Sequence, residues 1–266
     1  MAYPYSGLVM PEVIAHRGAN DDEPEHSLAA YVLAVQQGVD AIECDVRLTS
    51  DGQLVCVHDR RIDRTSTGHG AVSSTTYQEL ALYDYSGSHK KWHDFEEPAD
   101  PLRGEVITLD RLLGTLMDMS TRVKFSIETK HPTRFGSYVE RELVDTLRRH
   151  GLDRSGPDGR VRVMSFSWLA VRRVQRLLPG VPTVYLMDRV PWPYRNGSLP
   201  KGVTIAGLGI ARLRKDPDYI GRLKKHGHLV HVWTVDAPAD VQFCLDHGVD
   251  AIISNRPRAV LELLGR

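Results

Sequence analysis

The stretch VIAHRGANDDEPEHSLAAYVLAVQQGVDAIECDV, residues 13–46, reads as strand, helix, strand and sets the pattern for the rest of the chain. Val13 to His16 is a short apolar run that ends on a polar ring. Ser27 then stands where a side-chain oxygen caps a helix, apolar residues recur after it with helical period, and Gly38 supplies the usual stop. Ala41 to Val46 is the next strand candidate, with Glu43 and Asp45 at alternate positions. Strands that alternate with helices indicate a parallel sheet wrapped by helices.

The alternation continues almost to the C-terminus. Further strand candidates are Leu54 to His58, Lys124 to Thr129, Val161 to Ser165, Thr183 to Met187, Val203 to Ala206, Val230 to Thr234 and Ala251 to Ser254. Helical stretches run near Leu109 to Met119, Ser137 to Gly151, Trp168 to Leu178, Pro217 to Gly227, Pro238 to Gly248 and Pro257 to Leu264. At 266 residues the chain is close to the ~250 of one (β/α)8 barrel, so the expected architecture is a single TIM barrel spanning residues 1–266. The strand candidates exceed the eight of such a barrel by one. Val203 to Ala206, short and preceded by the Pro- and Gly-rich segment 191–202, is the expected irregular piece. Only the turn signal Thr49-Ser50-Asp51-Gly52 separates the second and third candidates, which leaves either a projecting hairpin or an irregular crossover. Residues 60–107 form an insertion expected over the top of the barrel, with a short helix at Thr76 to Leu82.

Composition excludes several classes of function. Lys plus Arg equals Asp plus Glu at 34 each, so no excess positive field gathers a polyanion, and nucleic acid is not an expected partner. No apolar run approaches the length that crosses a bilayer. Met1 to Met10 has neither a basic start nor a long apolar stretch, so a secretory signal is not expected and a cytoplasmic location is. Cys44, Cys56 and Cys244 lack zinc-type spacing and read as packed free thiols. The chain is expected to be a monomer or a homodimer.

Charge accumulates at strand ends, where a barrel carries its active site. The first strand ends in His16-Arg17-Gly18, the second holds Glu43 and Asp45, the third ends in His58-Asp59, and the fourth holds Glu128 and Lys130. Facing one interior, three carboxylates repel and need a positive partner. A hard divalent cation meets that need, and an all-oxygen donor set favours magnesium, calcium or manganese. Ion pairs of Glu128 with Lys130, and of the other two with arginines, would also meet it. His16 and His58 suit proton transfer at two oxygens, and Arg17 is a forked donor for phosphate.

Together these residues resemble the glycerophosphodiester phosphodiesterase family. Its pattern is matched in order and spacing by His16-Arg17-Gly18, Pro24-Glu25-His26, Glu43-Cys44-Asp45 and His58-Asp59. Asp63-Arg64-Thr65, Glu128-Thr129-Lys130, Ser165-Phe166 and Val232-Trp233-Thr234-Val235 extend the likeness along nearly the whole chain. The resemblance implies a calcium or magnesium ion on Glu43, Asp45 and Glu128, and His16 and His58 as the acid and base. Arg17 and Lys130 would hold phosphate, and the small-molecule substrate would be a glycerophosphodiester cut to glycerol 3-phosphate and an alcohol. Two departures stand out: His26 where many members have Asn, and Ser254-Asn255 where the last strand often ends Thr-Asp. Trp233 and Phe166 would wall the glycerol, unless they are ordinary core residues.

Two other readings share the barrel. A lysophospholipase D would need a greasy entrance, but Trp92 and Phe95 in the insertion stand among Lys90, Lys91, His93, Asp94, Glu96 and Glu97. A non-catalytic binding barrel would have lost a ligand or a histidine, and every position is filled.

Overall fold

A computed structural model describes residues 10–86, 101–154 and 159–266. Eight parallel strands close into a ring: β1 (Glu12–His16), β2 (Ala41–Leu48), β4 (Lys124–Thr129), β5 (Val161–Ser165), β6 (Thr183–Met187), β7 (Ile205–Gly209), β8 (Leu229–Trp233) and β9 (Ala251–Ser254). β1 pairs with both β2 and β9 and so seals the barrel. The ninth strand, β3 (Leu54–Cys56), lies outside the ring, antiparallel to the upper half of β2. The helices are α1 (Leu28–Gln36), α2 (Tyr77–Leu80), α3 (Pro101–Gly104), α4 (Leu109–Met119), α5 (Tyr138–Arg149), α6 (Trp168–Leu177), α7 (Ile210–Lys215), α8 (Asp218–Lys225), α9 (Pro238–Asp246) and α10 (Pro257–Leu263). None among the described residues is long and apolar enough to cross a membrane.

Strand alternation divides the core in two. Outward residues such as Val13, Ile42, Cys44, Phe125 and Ile127 pack with Leu112, Leu116, Leu143 and their neighbours from the helices. Inward residues stack in layers. At the bottom, Glu12 pairs with Lys124 and Arg162, and Arg162 Nε also donates to Ser126 Oγ at 2.6 Å. Above lies an apolar layer of Ile14, Met164, Val184, Leu186, Ile205 and Ile253. The top layer is again polar, and its chemistry is described below.

The irregular strand is not the one expected. The expected piece runs into a regular barrel strand, β7 (Ile205–Gly209), registered with β6 on one side and β8 on the other, and the extra strand is Leu54–Cys56. Its weak signal has a steric cause. The inward position Gly207 has no room for a side chain: a Cβ there would lie 2.4 Å from Leu186 Cδ2 and 3.0 Å from Val184 Cγ1. The strand therefore lacks the β-branched pattern because its neighbours fill its share of the interior. Gly207→Val is expected to destabilise the fold by ~1–3 kcal/mol through overpacking. Urea unfolding reads this directly, and an unchanged midpoint would contradict the packing.

Of the two topologies open at Thr49 to Gly52, the hairpin is realised. Thr49 Oγ1 donates to Asp51 Oδ1 at 2.6 Å and accepts from Gln53 N at 2.8 Å, while Gly52 takes a φ of 86°. β3 then anchors the insertion, because Cys56 N donates to Ile107 O and Val55 and Val57 pack with Ile62, Val72, Leu80, Tyr85 and Val106. The expected short helix is α2, opened by a capping box between Thr76 and Glu79.

Candidate active site

β2 and β4 deliver the acidic groups. Glu43, Asp45 and Arg47 share the inward face of β2, and Asp45 is the register partner of Glu128 on β4. One carboxylate oxygen from each of Glu43, Asp45 and Glu128 lies within 4.8 Å of the others. The residues are 2%, 1% and 6% exposed, so water screens little of their repulsion. Burial, then the charge of Asp45, push the Glu43 carboxyl well above the usual carboxylate range and bring Glu128 up to about 8. Burial acts the same way on Asp45. There it is overridden by the hydrogen bond from His26 and by the charges of Lys130, His26 and Arg17, which hold that carboxyl well below its usual range.

Lys130 reaches into this cluster, with Nζ 2.9 Å from Glu128 Oε1 and 3.3 Å from Asp45 Oδ1. His26 orients Asp45 from the other side: its Nε2 donates to Oδ2 at 3.0 Å, and its Nδ1 meets the Tyr31 hydroxyl at 2.7 Å. Arg17 and His26 both have left-handed backbones, φ 57° and 62°. Such a conformation is uncommon for non-glycine residues and persists where surroundings impose it. Here Arg17 N donates to Glu43 Oε2 at 3.0 Å and His26 N to Arg17 O at 3.1 Å. Gly18 packs so closely on α1 that a Cβ would sit 2.6 Å from that of Ala30. The His-Arg-Gly turn is thus locked between the helix and the acidic cluster.

His16 Nδ1 lies 2.6 Å from Asn255 Oδ1. Asn255 Nδ2 donates to Asp236 Oδ2 at 2.7 Å, so its Oδ1 is the acceptor and the His16 proton sits on Nδ1. Nε2 is left as the basic nitrogen in the cleft. Burial first, then the charge of Arg17, lower the His16 pKa to about 4, which keeps the ring neutral near pH 7. His58 Nδ1 donates to Asp59 Oδ1 at 2.7 Å, and burial lowers its pKa too. Asp59 is held by Arg64, whose guanidinium also forks onto Glu25 at 2.6 and 2.8 Å, and Glu25 accepts from Arg17 Nη1 at 3.0 Å. The insertion therefore ties the second histidine to the first loop.

These groups open on a cleft of about 300 Å3 lined by His16, Arg17, Glu43, His58, Glu128 and Lys130. Phe166, Trp233, Met164, Leu186 and Ile253 form its apolar wall, with Asp188 at the rim. Phe166 and Trp233 meet edge to face at 5.6 Å and line the cleft instead of being lost in the core. Every residue expected at the site reaches this one cleft or, for Asp45, contacts groups that do. Trp92 and Phe95, with the charged residues from Lys90 to Glu97, lie outside the described residues.

Sequence reasoning missed the support of the site. Asp236 and Asn255 hold His16 across more than two hundred residues, a pairing that no local spacing signals. Arg47 continues the alternation of Glu43 and Asp45, and that period of two was the available clue.

The donor set fits a hard divalent cation. Three buried carboxylates, two of them held above their usual range by burial and mutual repulsion, are in the electrostatic state that such an ion relieves. Oxygen-only donors again select magnesium, calcium or manganese.

A model of the glycerophosphoryl diester phosphodiesterase family matches residues 16–259 of the chain. A Mycobacterium tuberculosis protein named "Probable glycerophosphodiester phosphodiesterase 1" is 42% identical over 249 residues, covering 93% of this chain and 90% of its own. A Bacillus subtilis glycerophosphodiester phosphodiesterase is 30% identical over 256 residues, with coverage of 92% and 83%. Among solved structures, an Oleispira antarctica phosphodiesterase in complex with the product sn-glycerol-3-phosphate has a TM-score of 0.80 at 25% identity. That match covers 98% of this chain and 99% of that one.

Proposed function

The chain belongs to the glycerophosphoryl diester phosphodiesterase family, and we propose that it hydrolyses glycerophosphodiesters to glycerol 3-phosphate and an alcohol. The observation that carries this is the convergence of Glu43, Asp45 and Glu128 within 4.8 Å beside a cleft lined by His16, His58, Arg17 and Lys130.

Glu43, Asp45 and Glu128 would hold a divalent cation, calcium or magnesium. A cation held by them would supply Lewis-acid polarisation of a phosphoryl oxygen and offset the charge that develops in the transition state. Arg17 pairs through Nε with Asp45 and through Nη1 with Glu25, which leaves Nη2 to donate to the phosphate. His16 Nε2 takes a proton from the attacking oxygen, which is either the neighbouring glycerol hydroxyl or water. Attack by the hydroxyl forms a bond to phosphorus and expels the alcohol, giving a cyclic phosphate that water then opens. His58, in its protonated form, gives the departing alcohol its proton, and the Asp59 carboxylate on Nδ1 supports that cation against burial. Phe166 and Trp233 exclude water from the glycerol side.

Release of glycerol 3-phosphate from glycerophosphocholine, glycerophosphoethanolamine and glycerophosphoglycerol tests the reading. Turnover of at least one is expected. No release from any of them would overturn it.

Lys130 sits between two roles, phosphate ligand and carboxylate partner, and its contacts to Glu128 and Asp45 make the pairing real in this structure. With a cation compensating those carboxylates, the ammonium is free for the substrate. Lys130→Met is then expected to lower kcat/KM by ~10²-fold or more, the scale of one lost transition-state donor. Metal affinity should stay level or rise, because a nearby positive charge opposes cation binding. Near-wild-type turnover with a lowered melting temperature in chelator would reduce Lys130 to a structural partner.

A further inference from the structure

A second cavity, of about 230 Å3, opens at the same end of the barrel between the ends of β2 and β4, and Lys130 lines both it and the main cleft. Its polar wall is Arg47, Arg60 and Arg134 with Lys130, its apolar wall includes Leu48, Val72 and Pro132, and no carboxylate among the described residues lines it. The site's other arginines are spent on acids: Arg17 on Asp45 and Glu25, Arg64 on Glu25 and Asp59. These three are not. Arg47 gives Nε and Nη2 to the His58 carbonyl at 3.0 and 2.8 Å, which leaves Nη1 uncommitted. Arg134 Nη1 reaches only Ser73 O and Ser74 Oγ, at 3.3 and 3.4 Å, a link that ties the loop after β4 to the insertion. Three guanidinium groups around one partly apolar hollow, without a carboxylate partner among the described residues, form a receptor for an oxyanion. Forked phosphate recognition is the chemistry that guanidinium serves best.

Its position says which part of the substrate arrives there. Arg47 holds the backbone of His58, the residue placed at the departing alcohol, and Arg60 follows two positions later. The opposite wall of the cleft, with Phe166, Trp233 and Leu186 and the carboxylate of Asp188, suits the carbons and hydroxyls of glycerol. We infer that the alcohol leaves toward the arginine cavity and that the preferred substrates are glycerophosphodiesters whose head group itself carries a phosphate monoester. This assignment rests on the phosphodiesterase reading above and specifies its substrate class.

The test compares glycerophosphoinositol with glycerophosphoinositol 4-phosphate, which differ only in that phosphate and release one glycerol 3-phosphate each. Glycerophosphocholine serves as the cationic reference. Wild-type enzyme is expected to prefer the phosphorylated diester by about tenfold or more in kcat/KM, the scale of one charge-assisted hydrogen bond. The preference should shrink as salt is raised. Arg60→Gln and Arg134→Gln, at exposed positions where the fold is not at stake, should each lower the ratio of the two kcat/KM values. Equal or lower activity on the phosphorylated diester, or a ratio unmoved in both variants, would overturn the inference while leaving the phosphodiesterase reading intact. Cleavage of none of the three would overturn both.

Discussion

His16→Ala is expected to lower kcat by ~10²–10⁴-fold, the loss typical of removing a general base, with the melting temperature close to wild type. The ring earns this role by its setting: its proton is fixed on Nδ1 by Asn255, its Nε2 faces the cleft, and burial keeps it neutral with a pKa of about 4. His58→Ala should cost a similar factor, since no other described ring holds an equivalent place beside the alcohol. The double variant should be little worse than either single one, because groups that act as one unit are strongly non-additive. Steady-state kinetics on the four proteins decides it. A double variant whose loss equals the product of the single losses would mean that the two rings work independently.

The second large effect concerns the acidic cluster. Glu43→Gln is expected to cut turnover by at least ~10²-fold, since a catalytic cation supplies several kcal/mol and each 1.36 kcal/mol is a factor of ten. Its stability should move differently from its activity. The Glu43 carboxyl is pushed well above its usual range by burial and by Asp45, so its charge is disfavoured without metal and the neutral amide relieves that cost. Metal-free melting temperature should therefore be no lower than that of wild type. What should vanish is the rise on adding cation, which in wild type amounts to ~2.7 kcal/mol at a hundredfold excess over Kd. A variant that still gains that stability would place the cation elsewhere.

The barrel was legible because its helices and most of its strands carry their own local signals, as the Ser27 cap and the run from Ala41 to Val46 do. β7 was obscured by the same packing that makes it a barrel strand, since Gly207 yields its inward volume to Leu186 and Val184. The carboxylates and histidines could be read because they sit at strand ends in fixed order. Their supports could not. The Asp236–Asn255–His16 chain, the His26 bridge between Tyr31 and Asp45, and the arginine cavity each join residues that only the closed ring brings together.

Catalysis that depends on a cation at Glu43, Asp45 and Glu128 should be lost and regained with that cation. The enzyme is stripped with chelator, dialysed and assayed for glycerol 3-phosphate release from glycerophosphoglycerol, before and after magnesium or calcium is added back. Dependence on the cation predicts turnover near background in the stripped enzyme and recovery on add-back in wild type but not in Glu43→Gln. Full turnover by enzyme shown to be metal-free would contradict it.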